Sequence, residues 1–251
     1  MKKILLLIIA PILLTACAPD ERLFKSDVPV SKPSIPERVV EVRNTNAKNA
    51  SSMSPQIPVA TPETLPAQIN LDVPFYPQAP DANWVLPWEE ACEEASVVLA
   101  YYYFSGEPLS KAQFKKEVLD LVDWQMKVFG DYIHTTVDQT VKMIIGHFGF
   151  SDLRVMENPT VDDLKNELAQ GHLIVAPFAG RELNNPFYSG EGPYYHMLVI
   201  KGYDETHFIT NDVGTKRGLD FIYPYQTIMD ALHDYHPTNI GTAPSRVIIF
   251  E

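Results

Sequence analysis

From Ile69 to Glu251 the pattern of apolar residues changes from helical spacing to short continuous runs. Helices are predicted where apolar positions recur every three or four residues: 91–104, 110–129, 135–147 and 160–171. Strands are predicted for the short apolar runs 173–176, 196–201, 207–210 and 246–250. One more helix is predicted at 225–233, before the last of these strands. Because helices come first and hairpin-forming strands second, the pattern predicts an α+β class with a mainly antiparallel sheet.

The segment 18–70 has a different composition, with eight prolines, no glycine and a single aromatic residue, Phe24. Such a segment cannot bury enough apolar surface to offset the entropy lost on ordering. We therefore predict a disordered tether over 17–68 and one folded domain over 69–251, a length suited to a single domain.

The amino terminus reads MKKILLLIIAPILLTAC, with two lysines followed by an apolar stretch that is short for a membrane-spanning helix. This predicts a signal peptide over 1–16. The ending Leu14-Thr-Ala-Cys17 resembles a bacterial lipobox, which implies cleavage before Cys17 and a diacylglycerol on its sulfur. The alternative is an ordinary signal peptide with a chance cysteine. The expected location is the bacterial cell envelope, lipid-anchored and facing outside the cytoplasm.

The charge balance argues against one class of partner. The chain has 20 basic and 32 acidic side chains and a net charge of −12. Removing residues 1–16 would take away two lysines and no acids, which makes the remainder more acidic. A polyanion such as nucleic acid is therefore not an expected partner.

Cys92 is the only cysteine besides Cys17. If Cys17 carries the lipid, Cys92 is left without a disulfide partner within the chain. It lies where a loop gives way to a helix, and the positive end of the helix dipole favours a thiolate. Four glutamates at 89, 90, 93 and 94 surround it. We expect them to form a solvated acidic cluster, whose charge disfavours the thiolate. No histidine or second cysteine lies nearby in sequence, so neither a metal site nor a cofactor is expected.

A cysteine nucleophile needs a base, and the base needs an orienting group. His196 begins an apolar strand, and the turn at 203–205 returns the chain towards Asn211 and Asp212. A three-residue loop at 203–205 would place Asp212 opposite His196. A two-residue loop at 204–205 would instead make Asn211 a diagonal neighbour on the histidine's face. Spacing leaves both residues open.

Four sequence motifs carry a family resemblance. In chain order they are Val73-Pro-Phe-Tyr-Pro-Gln78, Cys92-Glu-Glu-Ala-Ser96, His196-Met-Leu-Val-Ile-Lys-Gly-Tyr-Asp204 and Ile209-Thr-Asn-Asp212-Val-Gly-Thr215. Together they resemble papain-like cysteine peptidases, and more narrowly the peptidase C-39-like group, relatives of the peptidases that remove double-glycine leaders from bacteriocins. The resemblance covers about 70–251. It implies a papain-like fold with Cys92 as nucleophile, His196 as base, Asp212 as orienting acid and Gln78 in the oxyanion hole.

Two residues depart from the leader peptidases, which usually have glycine after the cysteine and proline after the aspartate. Those positions are Glu93 and Val213. The resemblance implies a peptidase acting on a peptide or protein. The alternatives are a peptide-binding lipoprotein with a silent triad, a peptidoglycan amidase or endopeptidase, and a transglutaminase-like acyl transferase. The long polar and aromatic loop 181–193, just before His196, is expected to form a wall of the substrate cleft.

Overall fold

The computed structural model describes residues 65–251. The predicted signal peptide, Cys17 and the tether up to residue 64 lie outside these described residues. The end of the predicted tether lies within them, and there Tyr203 Oη donates a hydrogen bond to the Pro66 carbonyl at 3.0 Å. Contacts with the folded domain therefore begin before Ile69.

Within residues 65–251 five α-helices form, and their bounds agree with the predicted stretches to within three residues at either end. They are α1 Cys92–Ser105, α2 Lys111–Val128, α3 Val137–Phe148, α4 Val161–Ala169 and α5 Tyr225–Ala231. Ser110, Thr136 and Thr160 cap three of them, each accepting a hydrogen bond from the backbone N–H three residues later. These caps fix the starts of α2, α3 and α4.

The strands form one antiparallel sheet in the order β2-β7-β3-β4-β5-β6, with β1 paired to β4. Their bounds are β1 Ile69–Asn70, β2 Leu153–Glu157, β3 Leu173–Ala179, β4 Tyr195–Tyr203, β5 His207–Asn211, β6 Phe221–Pro224 and β7 Arg246–Phe250. Every residue of β3 and β4 is buried. Both faces of these strands are covered, which explains why they read as continuous apolar runs.

The core is divided by the sheet. On one side, Met197 and Val199 of β4 pack with residues of α1, α2 and α3. On the other, Leu198 and Ile200 pack with residues of α4 and α5. Helix α1 is the central helix: Val97, Val98, Leu99 and Ala100 are consecutive and fully buried. A helix that is apolar all round is one that is enclosed by other elements.

Three strands, β1, β2 and β6, were not predicted. β1 has only two residues, and β2 and β6 contain residues that are only partly buried, so none of the three is a continuous buried apolar run. β6 also ends in Pro224, which is consistent with its place at the edge of the sheet. The predicted helix at 225–233 ends earlier, because Leu232 makes a backbone bridge to Phe178.

Both predicted registers of the β4–β5 hairpin are wrong. Tyr203 pairs with Phe208, so the connection is longer than either predicted loop, and the register shifts between Ile200 and Gly202 through a bulge. The Asp204 side chain stabilises the turn by accepting hydrogen bonds from the backbone N–H groups of Thr206 and His207, each at 2.7 Å. The last pair is Val199 with Asn211.

Within residues 65–251, no helix has both the length and the apolar composition needed to cross a membrane.

Candidate active site

His196 and Asp212 form a buried pair. His196 Nε2 lies 2.9 Å from Asp212 Oδ1, and both side chains are almost completely buried. The pair forms although the residues are not directly opposite, because Asp212 follows the last residue of β5 while β4 continues to Tyr195. Asn211 points elsewhere and donates to the carbonyl oxygens of Val73 and Pro74 at 3.2 and 3.1 Å. The geometry therefore brings Asp212, and not Asn211, to the histidine.

The Asp212 carboxylate accepts hydrogen bonds from five groups. Besides His196 they are the Gly214 N–H at 2.9 Å, Asn185 Nδ2 at 2.9 Å, Tyr188 Oη at 2.8 Å and Tyr223 Oη at 2.6 Å. Burial would raise the pKa of Asp212, but His196 and the tyrosine hydroxyls outweigh it and lower the pKa to about 2. Asp212 is thus ionised at neutral pH and can only accept hydrogen bonds.

An ionised Asp212 determines the tautomer of His196. Because the carboxylate has no proton to give, Nε2 of the ring must carry one and donate it. In a neutral ring Nδ1 is then the basic nitrogen. Among residues 65–251, Nδ1 has no hydrogen-bond partner, so it is available to accept a proton.

Three side chains around this pair were missed as site residues by the sequence analysis: Asn185, Tyr188 and Tyr223. Asn185 and Tyr188 belong to the loop 181–193, and the Tyr188 ring meets the His196 ring edge to face, with centroids 5.5 Å apart. The loop thus contacts Asp212 and His196 directly. Its polar and aromatic composition pointed to a functional role, whereas Tyr223 lies on the unpredicted strand β6.

Gly214 allows the rings of His196 and Tyr188 to approach the turn after β5. A Cβ atom at position 214 would lie 2.9 Å from His196 Cε1 and 3.0 Å from Tyr188 Cε1. Real side chains do not tolerate such distances, so the close approach depends on glycine.

Cys92 is the first residue of α1 and is 5 % exposed. The helix docks on the part of β4 that extends beyond β5. Ser96 Oγ, one turn along the helix, donates to the Met197 carbonyl at 3.1 Å. The cysteine is therefore placed beside the residue that follows His196, although residues 65–251 contain no hydrogen bond between the Cys92 and His196 side chains.

The Cys92 thiol donates instead to the side chain of the next residue. Its sulfur lies 3.0 Å from Glu93 Oε2. Burial, the charge of Glu93 and this hydrogen bond raise the pKa of Cys92 well above its ordinary value, against a smaller opposing effect of the Met197 N–H. Cys92 is therefore a thiol at neutral pH in this structure.

The expectation of a solvated acidic cluster is wrong for two of its four members. Glu89 is exposed and Glu90 is half-buried, but Glu93 and Glu94 are completely buried. Helix α1 is enclosed on all sides, so its first turn cannot reach solvent. Burial raises the pKa of both Glu93 and Glu94.

The Gln78 side chain is buried near the start of α1. Its amide nitrogen donates to the carbonyl oxygens of Trp88 and Glu89 at 3.0 and 2.9 Å, and its Oε1 has no partner. The backbone N–H of Gln78 donates to the Val213 carbonyl at 2.8 Å, next to Asp212. Both hydrogens of the Gln78 side-chain amide are therefore donated to backbone carbonyls. The predicted role of Gln78 in an oxyanion hole stays a prediction.

A cavity of about 300 Å³ lies along the loop 181–193. Its lining includes Arg181, Asn185, Tyr188 and Glu191. Two of these residues, Asn185 and Tyr188, also bind Asp212. The cavity is thus adjacent to the supports of the His196–Asp212 pair, a position suited to a substrate side chain.

One group of side chains in residues 65–251 is close enough to share a metal ion: Glu167, His172 and Glu251. Arg154 makes ion pairs with both carboxylates of this group. The guanidinium occupies oxygen atoms of both carboxylates and offsets one of their two charges, so the arrangement favours an ion-pair network over a metal site.

Comparison with known proteins places this geometry in a family. The Peptidase_C39 like family matches residues 70–238. A comparison with curated proteins finds no match.

Solved structures also match this chain, among them the following two. A protein described as a C39-like peptidase from Bacillus anthracis aligns with a TM-score of 0.50 and 14 % identity, over 73 % of this chain and 97 % of that one. Xylellain, a cysteine protease from Xylella fastidiosa, aligns with a TM-score of 0.45 and 16 % identity, over 74 % of this chain and 86 % of that one. The predicted α+β class and papain-like fold are confirmed, and the chain belongs to the Peptidase_C39 like family.

Proposed function

We propose that this chain is a cysteine peptidase that hydrolyses peptide bonds outside the cytoplasm, held at a membrane by lipid on Cys17. The observation that carries the proposal is the buried His196–Asp212 pair on the part of β4 against which Cys92 is docked. A nucleophile, a base with a free nitrogen and an ionised orienting group are the elements of a cysteine-peptidase triad.

In the proposed reaction Cys92 Sγ forms a bond to the carbonyl carbon of the scissile peptide, and its proton passes to His196 Nδ1. The carbonyl electron pair moves to oxygen. His196 then returns the proton to the leaving amine, and water hydrolyses the thioester by the same steps. Asp212 remains ionised throughout and stabilises the imidazolium.

The oxyanion requires hydrogen-bond donors. Cys92 is the first residue of α1, so its backbone N–H has no acceptor within the helix and is a suitable donor. We propose that Gln78 supplies a second donor when substrate binds, by releasing one of its two backbone carbonyls. Its unpartnered Oε1 supports this proposal, because the present amide arrangement leaves a buried polar atom unsatisfied.

A second candidate function, a peptide-binding protein with a silent triad, is favoured by a single observation. The Cys92 thiol is bonded to the Glu93 carboxylate rather than to His196. A carboxylate in contact with the sulfur opposes thiolate formation, so the site could bind a peptide without cleaving it.

The test uses the full chain purified from membranes, a mixture of unstructured peptides and peptidoglycan fragments. Mass spectrometry of the products distinguishes peptide cleavage from amidase activity, and an added amine detects acyl transfer. We expect hydrolysis of peptides by wild type and none by Cys92→Ala. Cys17→Ser, which leaves the folded domain intact, is the matched cysteine control. Hydrolysis that persists in Cys92→Ala would reject the mechanism, and binding without turnover would support the silent-triad alternative.

A further inference from the structure

The Glu93 side chain is a buried acid in direct contact with the sulfur of Cys92, and the mechanism above gives it no role. Its Oε2 atom lies 3.0 Å from Cys92 Sγ, and its Oε1 atom accepts the Thr135 N–H at 2.8 Å. Glu93 is completely buried. A buried carboxyl group is stable only where such partners are supplied.

Glu93 cannot easily turn away from the sulfur, because its second partner is itself fixed. The Thr135 carbonyl accepts a hydrogen bond from Tyr195 Oη at 2.8 Å, and the Thr135 hydroxyl lies 2.9 Å from that of Thr140 on α3. Tyr195 directly precedes His196 on β4. A continuous chain of contacts thus runs from Cys92 through Glu93 and Thr135 to the strand that carries the base.

We propose that Glu93 is a positioning residue that holds Cys92 in the thiol form until substrate attack. The inference rests on the proposed role of Cys92 as nucleophile. While Glu93 is ionised, a thiolate would place two negative charges about 3 Å apart in a buried site, which is unfavourable. The proton therefore stays between sulfur and carboxylate at rest. It passes to His196 Nδ1 only as the sulfur–carbon bond forms.

Other titratable groups also face this pair. On the α1 side, in the loop before α3, on β4 and after α5, they are Glu94, His134, Tyr195 and Tyr235. Glu90 acts on Glu94, and Asp234 acts on Tyr195, rather than on the pair itself. Apart from Glu93, no carboxyl group in the described part of the chain is hydrogen-bonded to the sulfur. The burial that raises the pKa of Glu93 is partly offset by the hydrogen bonds from Cys92 and Thr135, which favour the ionised form.

The experiment measures the rate of Cys92 alkylation by iodoacetamide against pH, with Cys17 replaced by serine in all proteins. We expect Glu93→Gln to lower the pKa of the thiol by at least about one unit, because the charge is removed and the amide can donate to a thiolate. Roughly tenfold or more thiolate at neutral pH would then raise the alkylation rate, although a thiolate of lower pKa is less nucleophilic.

Two control variants distinguish direct contact with the Cys92 sulfur from the general effect of nearby negative charge. Glu89→Gln removes an exposed charge and should leave the alkylation profile unchanged. Glu94→Gln removes a buried acid that does not touch the sulfur and should shift the profile less than Glu93→Gln. An unchanged thiol pKa in Glu93→Gln, or equal shifts in Glu93→Gln and Glu94→Gln, would overturn the inference.

If Glu93→Gln does not fold, as judged by circular dichroism, the same contact is tested through the titration of the Glu93 carboxyl group. In protein labelled with ¹³C at glutamate, the Glu93 carboxyl group should titrate at a higher pH in Cys92→Ala than in wild type, because the thiol donor is lost. Identical titration would refute the contact. Alkylation needs no turnover, so a thiol pKa lowered in Glu93→Gln without peptide hydrolysis by the wild type would reject the proposed peptidase but leave standing the effect of Glu93 on the thiol proton.

Discussion

At the scale of single residues, the Asp212 carboxylate is held by more donors than orientation of a histidine requires. Two tyrosine hydroxyls, an asparagine amide and a backbone N–H bind it in addition to His196. These donors keep the charge on Asp212 in a completely buried position. In the proposed mechanism, this fixed charge would stabilise the imidazolium formed during attack.

We therefore expect Asp212→Ala to lower kcat by roughly 10³–10⁴-fold, the order seen when a triad acid is removed. Asp212→Asn should lie between wild type and Asp212→Ala, because the amide accepts from the ring but lacks the charge. The measurement is kcat against pH. Asn211→Ala is the neighbouring control: it should cost stability through lost bonds to Val73 and Pro74 but little activity. A crippled Asn211→Ala with a mild Asp212→Ala would contradict this assignment.

At the scale of elements, the site depends on the point where β4 extends beyond the last paired residue of β5. β5 stops pairing at Asn211, opposite Val199, while β4 continues to Tyr195. Helix α1 packs on one face of the part of β4 that does not pair with β5. The turn after β5 packs against His196. Glycine at 214 permits that close packing.

Gly214→Ala should thus disturb the base without unfolding the domain. The added methyl group would meet the His196 ring at a distance that forces the ring to move. We expect kcat to fall by about 10²-fold, since displacements of about 1 Å have effects of that size. Gly241→Ala is the matched control, because the nearest atom to its added methyl would be 3.6 Å away. Equal activity of the two variants would show that the ring is not constrained at this position.

At the scale of the whole molecule, a second buried acid affects stability. Gln125 Nε2 donates to Glu94 Oε1, while within residues 65–251 Glu94 Oε2 and Gln125 Oε1 are buried without hydrogen-bond partners. A proton on Glu94 Oε2 would turn that oxygen into a donor, and Gln125 Oε1 is an unpartnered acceptor on the same pair of side chains. Burial, with the charge of Glu93, raises the pKa of Glu94 well above its ordinary value of 4.5, which agrees with a protonated side chain.

The direction of the pH effect follows from this raised pKa. Below about pH 4.5 Glu94 is protonated in both the folded and unfolded states, and its contribution to stability is complete. As pH rises, the unfolded state loses the proton first, so the free energy of unfolding declines until the folded-state pKa is passed. Glu94→Gln should remove this part of the pH dependence and stabilise the domain by about 1–3 kcal/mol at neutral pH. Denaturant unfolding at several pH values measures both the gain in stability and the pH dependence. The same pH dependence of the free energy of unfolding in Glu94→Gln and wild type would contradict a protonated Glu94.

The boundary between tether and domain is also testable on the whole chain. Limited proteolysis should cut within 20–64 and leave a core that retains Pro66, because Tyr203 binds its carbonyl. Tyr203→Phe should move the first stable cut towards Ile69. Mass spectrometry locates the cuts, and resistance of the whole segment to protease would contradict the predicted tether.

The sequence by itself determined the helices, the principal strands and the antiparallel class, because burial of β3 and β4 on both faces leaves an apolar run that can be read directly. It also pointed to Cys92, His196 and Asp212 through a family resemblance, while spacing alone left Asn211 open. Their catalytic roles stay predictions.

Tertiary structure decided what depends on distance rather than order. The bulge and longer turn in the β4–β5 hairpin set which residue meets His196, and no local pattern specifies a bulge. Asn185, Tyr188 and Tyr223 converge on Asp212 from a loop and an edge strand that are distant in sequence. Glu93 looked like a solvated helix-starting acid, but enclosure of α1 buried it against the thiol. Burial is a property of the assembled fold, so only the fold could show that this charge contacts the sulfur.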